Sequence, residues 1–259
     1  MATKYSSRAG ELKPPAPRAE VWQLAWPLIL SNITVPMLGL VDTAVVGHLS
    51  DSRYLGGVTL GATIFSFLFW GFGFLRMGTT GLVAQAHGRD DRDALLRLLG
   101  QGMVLAMLIG SAIIVLHPLL VPVGLAWLDG SAAVTAEARI YADVRILSAP
   151  AVLANYVLIG WFLGRGRSRV TLLLMVVNNL ANIVLDLVFV MGLGMTTAGV
   201  ALASVIADYL TTTLGFVLVA GVWRSWGWQR VAGVFDGFAG YKKLLSVNLA
   251  LFIRTLCLL

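Results

Sequence analysis

The stretch VTLLLMVVNNLANIVLDLVFVMGLG, residues 170–194, is apolar throughout except for its polar asparagines, Thr171 and one charged residue, Asp186. A membrane-spanning helix needs roughly 20 apolar residues. A carboxylate in hydrocarbon costs at least about 2.5 kcal/mol on insertion scales, and such residues usually mark a proton, ion or substrate pathway. The stretch therefore predicts a membrane helix with a functional site inside it.

The rest of the chain repeats this apolar pattern. Of its 259 residues, 58% are hydrophobic and only 12% are charged, which is far more apolar than a soluble domain. We predict an all-α integral membrane protein, a six-helix transmembrane bundle followed by the start of a seventh helix. The predicted spans are residues 21–49, 55–86, 95–123, 140–164, 170–194 and 198–223, and the seventh helix begins near Tyr241.

Basic residues fall in alternate connections between these spans. They occur in the tail before span one, and after spans two, four and six, including the GRGRSR loop at 164–169, whereas the connections between these are poor in them. By the positive-inside rule the N-terminus is cytoplasmic, and the chain is expected to be integral to the cell (inner) membrane. The parts are then a polar cytoplasmic tail at 1–20, the six-helix lobe at 21–223, a cytoplasmic linker at 224–240 and the beginning of a further helix at 241–259.

Several function classes are excluded by missing patterns. The net charge of +6 is divided among loops rather than gathered on one face, so no nucleic-acid partner is expected. None of the four lysines follows a glycine, so there is no phosphate-binding P-loop. The chain has one cysteine, no HExxH pair and no Gly-x-Ser-x-Gly elbow. We therefore expect neither an enzyme nor a resident metal or cofactor.

The polar residues of span five lie on one strip of the predicted helix. Asn178, Asn182 and Asp186 are spaced i, i+4 and i+8, which places them within about 80° of one another around the helix axis. A carboxylate supplies charge, while amide oxygens can ligate Na⁺ or hold a protonated acid. Membrane asparagines also form hydrogen bonds that hold helices together. Such bonds explain the amides but not the acid, so the strip predicts a cation or proton site.

A second isolated acid, Asp42, lies in the first predicted span, in PMLGLVDTAVVG at 36–47. Its proline and glycines should bend or loosen the helix, as is typical of transport sites. At 1.5 Å per residue from the cytoplasmic ends of their spans, Asp42 and Asp186 lie about 22 and 24 Å deep. We expect these two acids to share one site.

Other intramembrane polar residues are candidates for lining the same site. Ser204 and Asp208 in span six are spaced i, i+4, and Tyr141 and Asn155 lie in span four. Asp208, nearer the middle of the membrane, is expected either to line the site or to pair with another polar group. Arg145, near the predicted outer end of span four, is expected to extend to the membrane surface.

Small residues at a spacing of four predict close contact between helices. GVTLG at 57–61 and ASVIA at 203–207 have this pattern, which lets helix backbones approach closely.

Several strings, taken in order, resemble a known family. They are VDTAVVGHL at 41–49, FLRMGTTGLVAQAHG at 74–88, RILSAPAVLANYVLIGWFLGRGRSR at 145–169 and NNLANIVLDLVFVMGLGMTTAGVALASVIADY at 178–209. Together they are similar to the amino-terminal lobe of the multidrug and toxic compound extrusion (MATE) transporters, in particular the DinF-like branch.

The resemblance implies a twelve-helix antiporter with two six-helix lobes, which exchanges H⁺ or Na⁺ for small organic, often cationic, compounds. Asp42 and Asp186 match the two acids of the family's first-lobe cation site, and Asn182 matches the amide one turn earlier. Tyr141 and Ser204 match further positions more loosely. A second lobe is missing from this length, which implies a truncated chain or a lobe that needs a second copy.

Three alternatives remain open. A lipid-linked oligosaccharide flippase has the same broad architecture but would carry more cationic residues in its cavity. A fragment that does not transport is compatible with the length. A channel would differ from a transporter in showing flux that does not saturate.

Overall fold

The computed structural model describes residues 51–227 and isolated positions outside this range, at 22, 25, 26, 29, 30, 43–47, 241, 242 and 246. Most of the predicted first span, the linker beyond residue 227 and the seventh helix therefore lie outside the described residues.

From residue 51 to residue 227 the regular structure is helical, and no strand occurs in this range. The α-helices are α1 (Ser52–Gly71), α2 (Phe74–Gly88), α3 (Arg92–Val115), α4 (His117–Leu128), α5 (Ala132–Arg145), α6 (Ala149–Gly164), α7 (Ser168–Asp186) and α8 (Thr197–Ser225). A 3₁₀ turn, Ile146–Ser148, joins α5 to α6, and a π-helical turn, Leu187–Gly192, follows α7.

Five helical stretches in the described part of the chain are long and apolar enough to cross a membrane. They are Ser52–Gly88, Arg92–Val115, Ala132–Gly164, Ser168–Gly192 and Thr197–Ser225. Each corresponds to one predicted span, so the predicted all-α membrane architecture is confirmed.

Polar residues begin several of these helices. The side chain of Asp51 accepts a hydrogen bond from the backbone N–H of Arg53 at 2.9 Å, and that of Asp91 accepts one from Ala94, also at 2.9 Å. Such caps satisfy backbone donors that have no partner within the first helical turn. They fix where α1 and α3 begin, which hydropathy alone leaves open.

Two predicted span boundaries differ from the structure. Span four was predicted to begin at residue 140, but α5 begins at Ala132, because its first two turns contain Glu137 and Arg139 and are too polar for a hydropathy criterion. Span three was predicted to continue to residue 123, but α3 ends at Val115 and α4 follows with Pro118 in its first turn. Proline lacks a backbone N–H and is favoured in the first turn of a helix, where that N–H would have no partner within the helix.

The helix α6 lies at the centre of the bundle. It packs against α2, α3, α7 and α8, and Leu153, Val157, Leu158 and Trp161 have no measurable exposure. The indole Nε1 of Trp161 donates a hydrogen bond to the carbonyl oxygen of Leu95, 2.9 Å away. This helix therefore provides a rigid centre around which the polar residues of α5, α7 and α8 are arranged.

The glycines of GVTLG allow α1 to approach α5 closely. A Cβ atom on Gly61 would lie 2.6 Å from Cδ1 of Tyr141, and one on Gly57 would lie 2.4 Å from Cβ of Glu137. Real Cβ atoms do not approach this closely, so only glycine fits at these positions. The predicted close helix contact is confirmed for this motif.

The bundle has two chemically distinct ends. The end where α2, α6 and α8 finish carries Arg89, Arg165, Arg167 and Arg224, and we call it the arginine-rich end. The opposite end carries the connections at 129–131 and 193–196.

Candidate functional site

The polar strip of α7 faces α8 along two turns. Nδ2 of Asn178 donates to Oδ1 of Asp208 at 2.9 Å, and Nδ2 of Asn182 donates to Oγ of Ser204 at 3.0 Å. One turn forward on α7 corresponds to one turn back on α8, as expected for two antiparallel helices. Four of the predicted site residues therefore meet along one helix interface.

Asp186 lies one further turn along the same strip and is the last residue of α7. It is 0% exposed. The π-helical turn Leu187–Gly192 follows it directly, and π-helical turns occur frequently at functional sites. The structure therefore places the isolated acid in the interior of the bundle, at a point where the regular helix ends.

Asp208 is paired with an arginine in the interior of the bundle. Nη1 of Arg145 lies 2.7 Å from Oδ2 of Asp208, and their side chains are 15% and 10% exposed. Arg145 also donates to Oγ of Ser148 in the following 3₁₀ turn. Of the two roles predicted for Asp208, pairing with another polar group is the one observed.

The prediction for Arg145 was wrong. A span that begins at residue 140 would put Arg145 near the membrane surface, which is the position that hydropathy predicts. Since α5 begins at Ala132, Arg145 lies about 20 Å along the helix at 1.5 Å per residue. Its guanidinium points into the bundle and pairs with Asp208 instead. Two opposite charges at matching depth in different spans would have been the sequence signal for this pair.

Asn155 binds the backbone of α8 at Asp208. Its Nδ2 donates to the carbonyl oxygen of Asp208 at 3.0 Å, and its Oδ1 accepts a hydrogen bond from Oγ1 of Thr212 at 3.0 Å. It is 6% exposed. Asn155 therefore joins α6 to α8, and Thr212 is a member of this network that the sequence reasoning missed.

Tyr141 and Glu137 lie on α5 beside the network. Tyr141 is buried, packs edge-on against Phe65 with ring centres 6.3 Å apart, and interacts with Arg145. Oε2 of Glu137 accepts a hydrogen bond from Oγ1 of Thr197 at 2.7 Å. The helix α5 thus contacts α8 twice, through Glu137 in its middle and through Arg145 at its end.

Asp42 lies outside the described residues, so its pairing with Asp186 stays a prediction. Among the described residues there is no group of three or more His, Cys, Asp or Glu side chains that could hold a metal ion. An open groove of about 530 Å³ lies elsewhere, near the opposite end of the bundle, and contains none of the polar network. It is lined by Ser52, Leu55, Gly56, Thr59, Leu60, Thr63 and Leu128.

Comparisons with known proteins agree with this architecture. Residues 27–188 match the family model MatE. The chain is 47% identical over 238 residues to DNA damage-inducible protein F of Escherichia coli K12, covering 92% of this chain and 52% of that protein. It is 24% identical over 231 residues to a Listeria monocytogenes protein named "Probable multidrug resistance protein NorM", covering 86% of this chain and 50% of that protein.

Among solved structures, the chain resembles the outward-facing conformation of a multidrug resistance MATE family transporter of the MOP superfamily. The TM-score is 0.76 at 22% identity, over 92% of this chain and 52% of the other. This likeness shows the shared fold. The chain spans about half the length of the curated relatives it matches.

Proposed function

The chain belongs to the MatE family of membrane transporters rather than to an enzyme family, and we propose that it forms the cation-coupling lobe of a secondary active exporter. This exporter exchanges H⁺ or Na⁺ for small organic, often cationic, compounds. Because the chain spans about half of its curated relatives, transport requires a second lobe or a second copy of the chain.

The observation that carries this proposal is the complete burial of Asp186 on a polar strip within an apolar helix. A buried acid disfavours its charged form unless a cation neutralises it. Binding of H⁺ or Na⁺ removes this cost, and release of the ion restores it. Ion binding at Asp186 is therefore suited to change the relative free energies of two arrangements of the surrounding helices.

The side chains next to Asp186 on the strip suit this role. Asn182 and Ser204 are hydrogen-bonded to each other one turn away, and amide, hydroxyl and carboxylate oxygens are the ligands that hard cations prefer. Asp208 is less suited to carry the ion because Arg145 already neutralises it at 2.7 Å. We assign ion coupling to Asp186, with Asp42 as its partner acid, and a supporting role to Asp208.

The proposed orientation follows from the arginine-rich end. Its arginines lie at the ends of α2, α6 and α8, where the positive-inside rule places the cytoplasm. The chain then lies in the inner membrane with its N-terminus on the cytoplasmic side. In this orientation Asp186 lies in the outer half of the bilayer. An ion reaching Asp186 from outside has the shorter path.

The proposal is tested by transport in proteoliposomes with an imposed pH or Na⁺ gradient. The 259-residue chain is used alone and also joined to the remaining half of the E. coli relative. A fluorescent organic cation such as ethidium reports exchange. We expect gradient-driven exchange to be lost in Asp186→Asn and retained in the control Asp129→Asn, which alters an acid in the connection after α4. Unchanged exchange in Asp186→Asn rejects the coupling role.

The flippase alternative needs cationic side chains that are available to a diphosphate. Arg145 is the cation closest to the polar strip among the described network residues, and it is paired with Asp208. This pairing favours the exporter. Saturable binding of a polyprenyl-diphosphate without binding of ethidium would favour the flippase instead.

A further inference from the structure

Arg165 lies at the arginine-rich end, in the loop between α6 and α7, between two tryptophan rings. Its Cζ atom is 4.3 Å from the ring centre of Trp161 and 4.9 Å from that of Trp226. A guanidinium within about 6 Å of an indole face is attracted by the ring's negative face. Aromatic rings from α6 and from the end of α8 therefore hold this cation in place.

A second arginine approaches the same ring from another helix. Cζ of Arg92, at the start of α3, lies 5.7 Å from the ring centre of Trp226. Arg167 also lies close enough to Arg165 to repel its charge. Arg92 and Arg165 thus share the ring of Trp226, and the charge of Arg167 acts on Arg165 from the same loop.

Among the described residues, no acid forms an ion pair with Arg92, Arg165 or Arg167. The arginine ion pairs found there are Arg53 with Asp51 and Arg145 with Asp208. The nearby Asp91 uses a carboxylate oxygen to cap α3 at Ala94.

Arg165 itself is partly withdrawn from water. Its Nε and Nη1 atoms are buried and have no hydrogen-bond partner among the described residues. Burial, together with the charge of Arg167, lowers the pKa of Arg165 to about 10, so the group is still charged at neutral pH. A partly desolvated cation without a counter-charge is unfavourable, and an anion bound here would relieve that cost.

We propose that Arg92, Arg165 and Arg167, together with Trp226, bind the phosphate group of an anionic phospholipid. Arginine presents several donors in a planar fork that matches a phosphate. The cluster lies where the membrane-spanning stretches end, which is the level of lipid headgroups and of interfacial tryptophans. Basic pockets between helices at this level bind anionic headgroups. The inference does not depend on the proposed transport activity.

Native mass spectrometry of the purified full chain, released from mixed micelles, tests this proposal. The probes are phosphatidylglycerol and phosphatidylcholine at equal concentration, and inorganic phosphate in a separate arm. We expect the wild-type chain to retain phosphatidylglycerol preferentially. Each arginine near the surface contributes about 1 kcal/mol to binding of an anionic lipid. In the double variant Arg92→Gln/Arg165→Gln, the ratio of bound phosphatidylglycerol to bound phosphatidylcholine should therefore fall on the order of tenfold to thirtyfold.

The control is Arg53→Gln, which removes an arginine at the opposite end of the bundle and should leave the lipid preference unchanged. Should Arg165→Gln fail to fold, as judged by circular dichroism, the pair of exposed arginines Arg92 and Arg167 is replaced instead. Equal retention of both lipids by the wild type, or an unaltered preference in the double variant, overturns the proposal. Competition by inorganic phosphate at the lipid's own concentration would identify a free-phosphate site and also overturn the lipid assignment.

Discussion

Nη1 of Arg145 lies 2.7 Å from Oδ2 of Asp208, while Nδ2 of Asn178 lies 2.9 Å from the other oxygen of the same carboxylate. One acid thus joins α5, α7 and α8 in the interior of a membrane bundle. Both members of the ion pair are largely withdrawn from solvent. Removing one member leaves a buried charge without compensation, whereas removing both leaves none.

The ion pair predicts a non-additive effect on stability. We expect Arg145→Met and Asp208→Asn each to lower the free energy of unfolding, by up to about 3–5 kcal/mol. The double variant Arg145→Met/Asp208→Asn should lose less free energy of unfolding than the two single variants lose together, because it leaves no unpaired charge. Denaturant unfolding in mixed micelles measures this coupling.

The matched control for that cycle is the exposed ion pair between Arg53 and Asp51, whose side chains are 46% and 47% exposed. Solvent screens exposed pairs and leaves them little net effect on stability, so Arg53→Met should change the free energy of unfolding little. Additive losses at Arg145 and Asp208 would mean that the two charges do not interact.

A second prediction concerns the hydrogen bond between Asn182 and Ser204. A double-mutant cycle with Asn182→Ala and Ser204→Ala should give a coupling free energy of about 0.6 kcal/mol, the average for side-chain hydrogen bonds between membrane helices. The neighbouring Asn179, whose buried Nδ2 has no hydrogen-bond partner in the part of the chain that the structure describes, provides the control. Asn179→Ala combined with Ser204→Ala should show no coupling, and equal coupling in the two cycles would contradict the observed pairing.

The sequence predicted the membrane helices and the polar strip well because both follow from simple periodicity. Runs of about 20 apolar residues and an i, i+4, i+8 spacing depend only on local helix geometry. Asn178, Asn182 and Asp186 accordingly lie on one face of α7, where they were expected.

The partners of these residues were harder to predict because they depend on depth and on rotation between helices. The position of Arg145 was misjudged from a polar helix start, and the hydrogen bond from Thr212 to Asn155 joins residues 57 positions apart in sequence. Neither contact follows from one helix alone. Pairing of this kind needs the relative placement of α5, α6 and α8, which a single sequence does not contain.

A third prediction concerns the contact between α1 and α5. Gly61→Ala should destabilise the bundle, because the new Cβ would lie 2.6 Å from Cδ1 of Tyr141. Gly81→Ala in α2 is the matched control, since nothing lies within 4 Å of its added Cβ.

Both substitutions remove a helical glycine, which by itself stabilises a helix by roughly 0.5–1 kcal/mol. Thermal unfolding should therefore show a lower midpoint for Gly61→Ala and an equal or higher one for Gly81→Ala. A stabilised Gly61→Ala variant would show that α1 and α5 can separate without cost.

The last prediction compares two asparagines that both contact Asp208. Asn155→Leu removes a donor to the backbone carbonyl of Asp208, but that carbonyl also accepts a hydrogen bond from Oγ1 of Thr212 at 2.9 Å. Thr212 in turn keeps backbone acceptors after the loss of Asn155. Asn155→Leu should therefore lower the free energy of unfolding by about the value of one ordinary hydrogen bond, about 0.5–1.5 kcal/mol.

Asn178→Leu instead removes a donor to the charged carboxylate of Asp208, where Oδ1 accepts its bond at 2.9 Å. Hydrogen bonds to charged groups contribute about 1.5–3 kcal/mol, so Asn178→Leu should be the more damaging of two chemically identical substitutions. Denaturant midpoints of the two variants, measured side by side in the same micelles, decide the order. If Asn155→Leu proves the more costly, the carboxylate of Asp208 depends mainly on Arg145, and the strip of α7 contributes little to holding it.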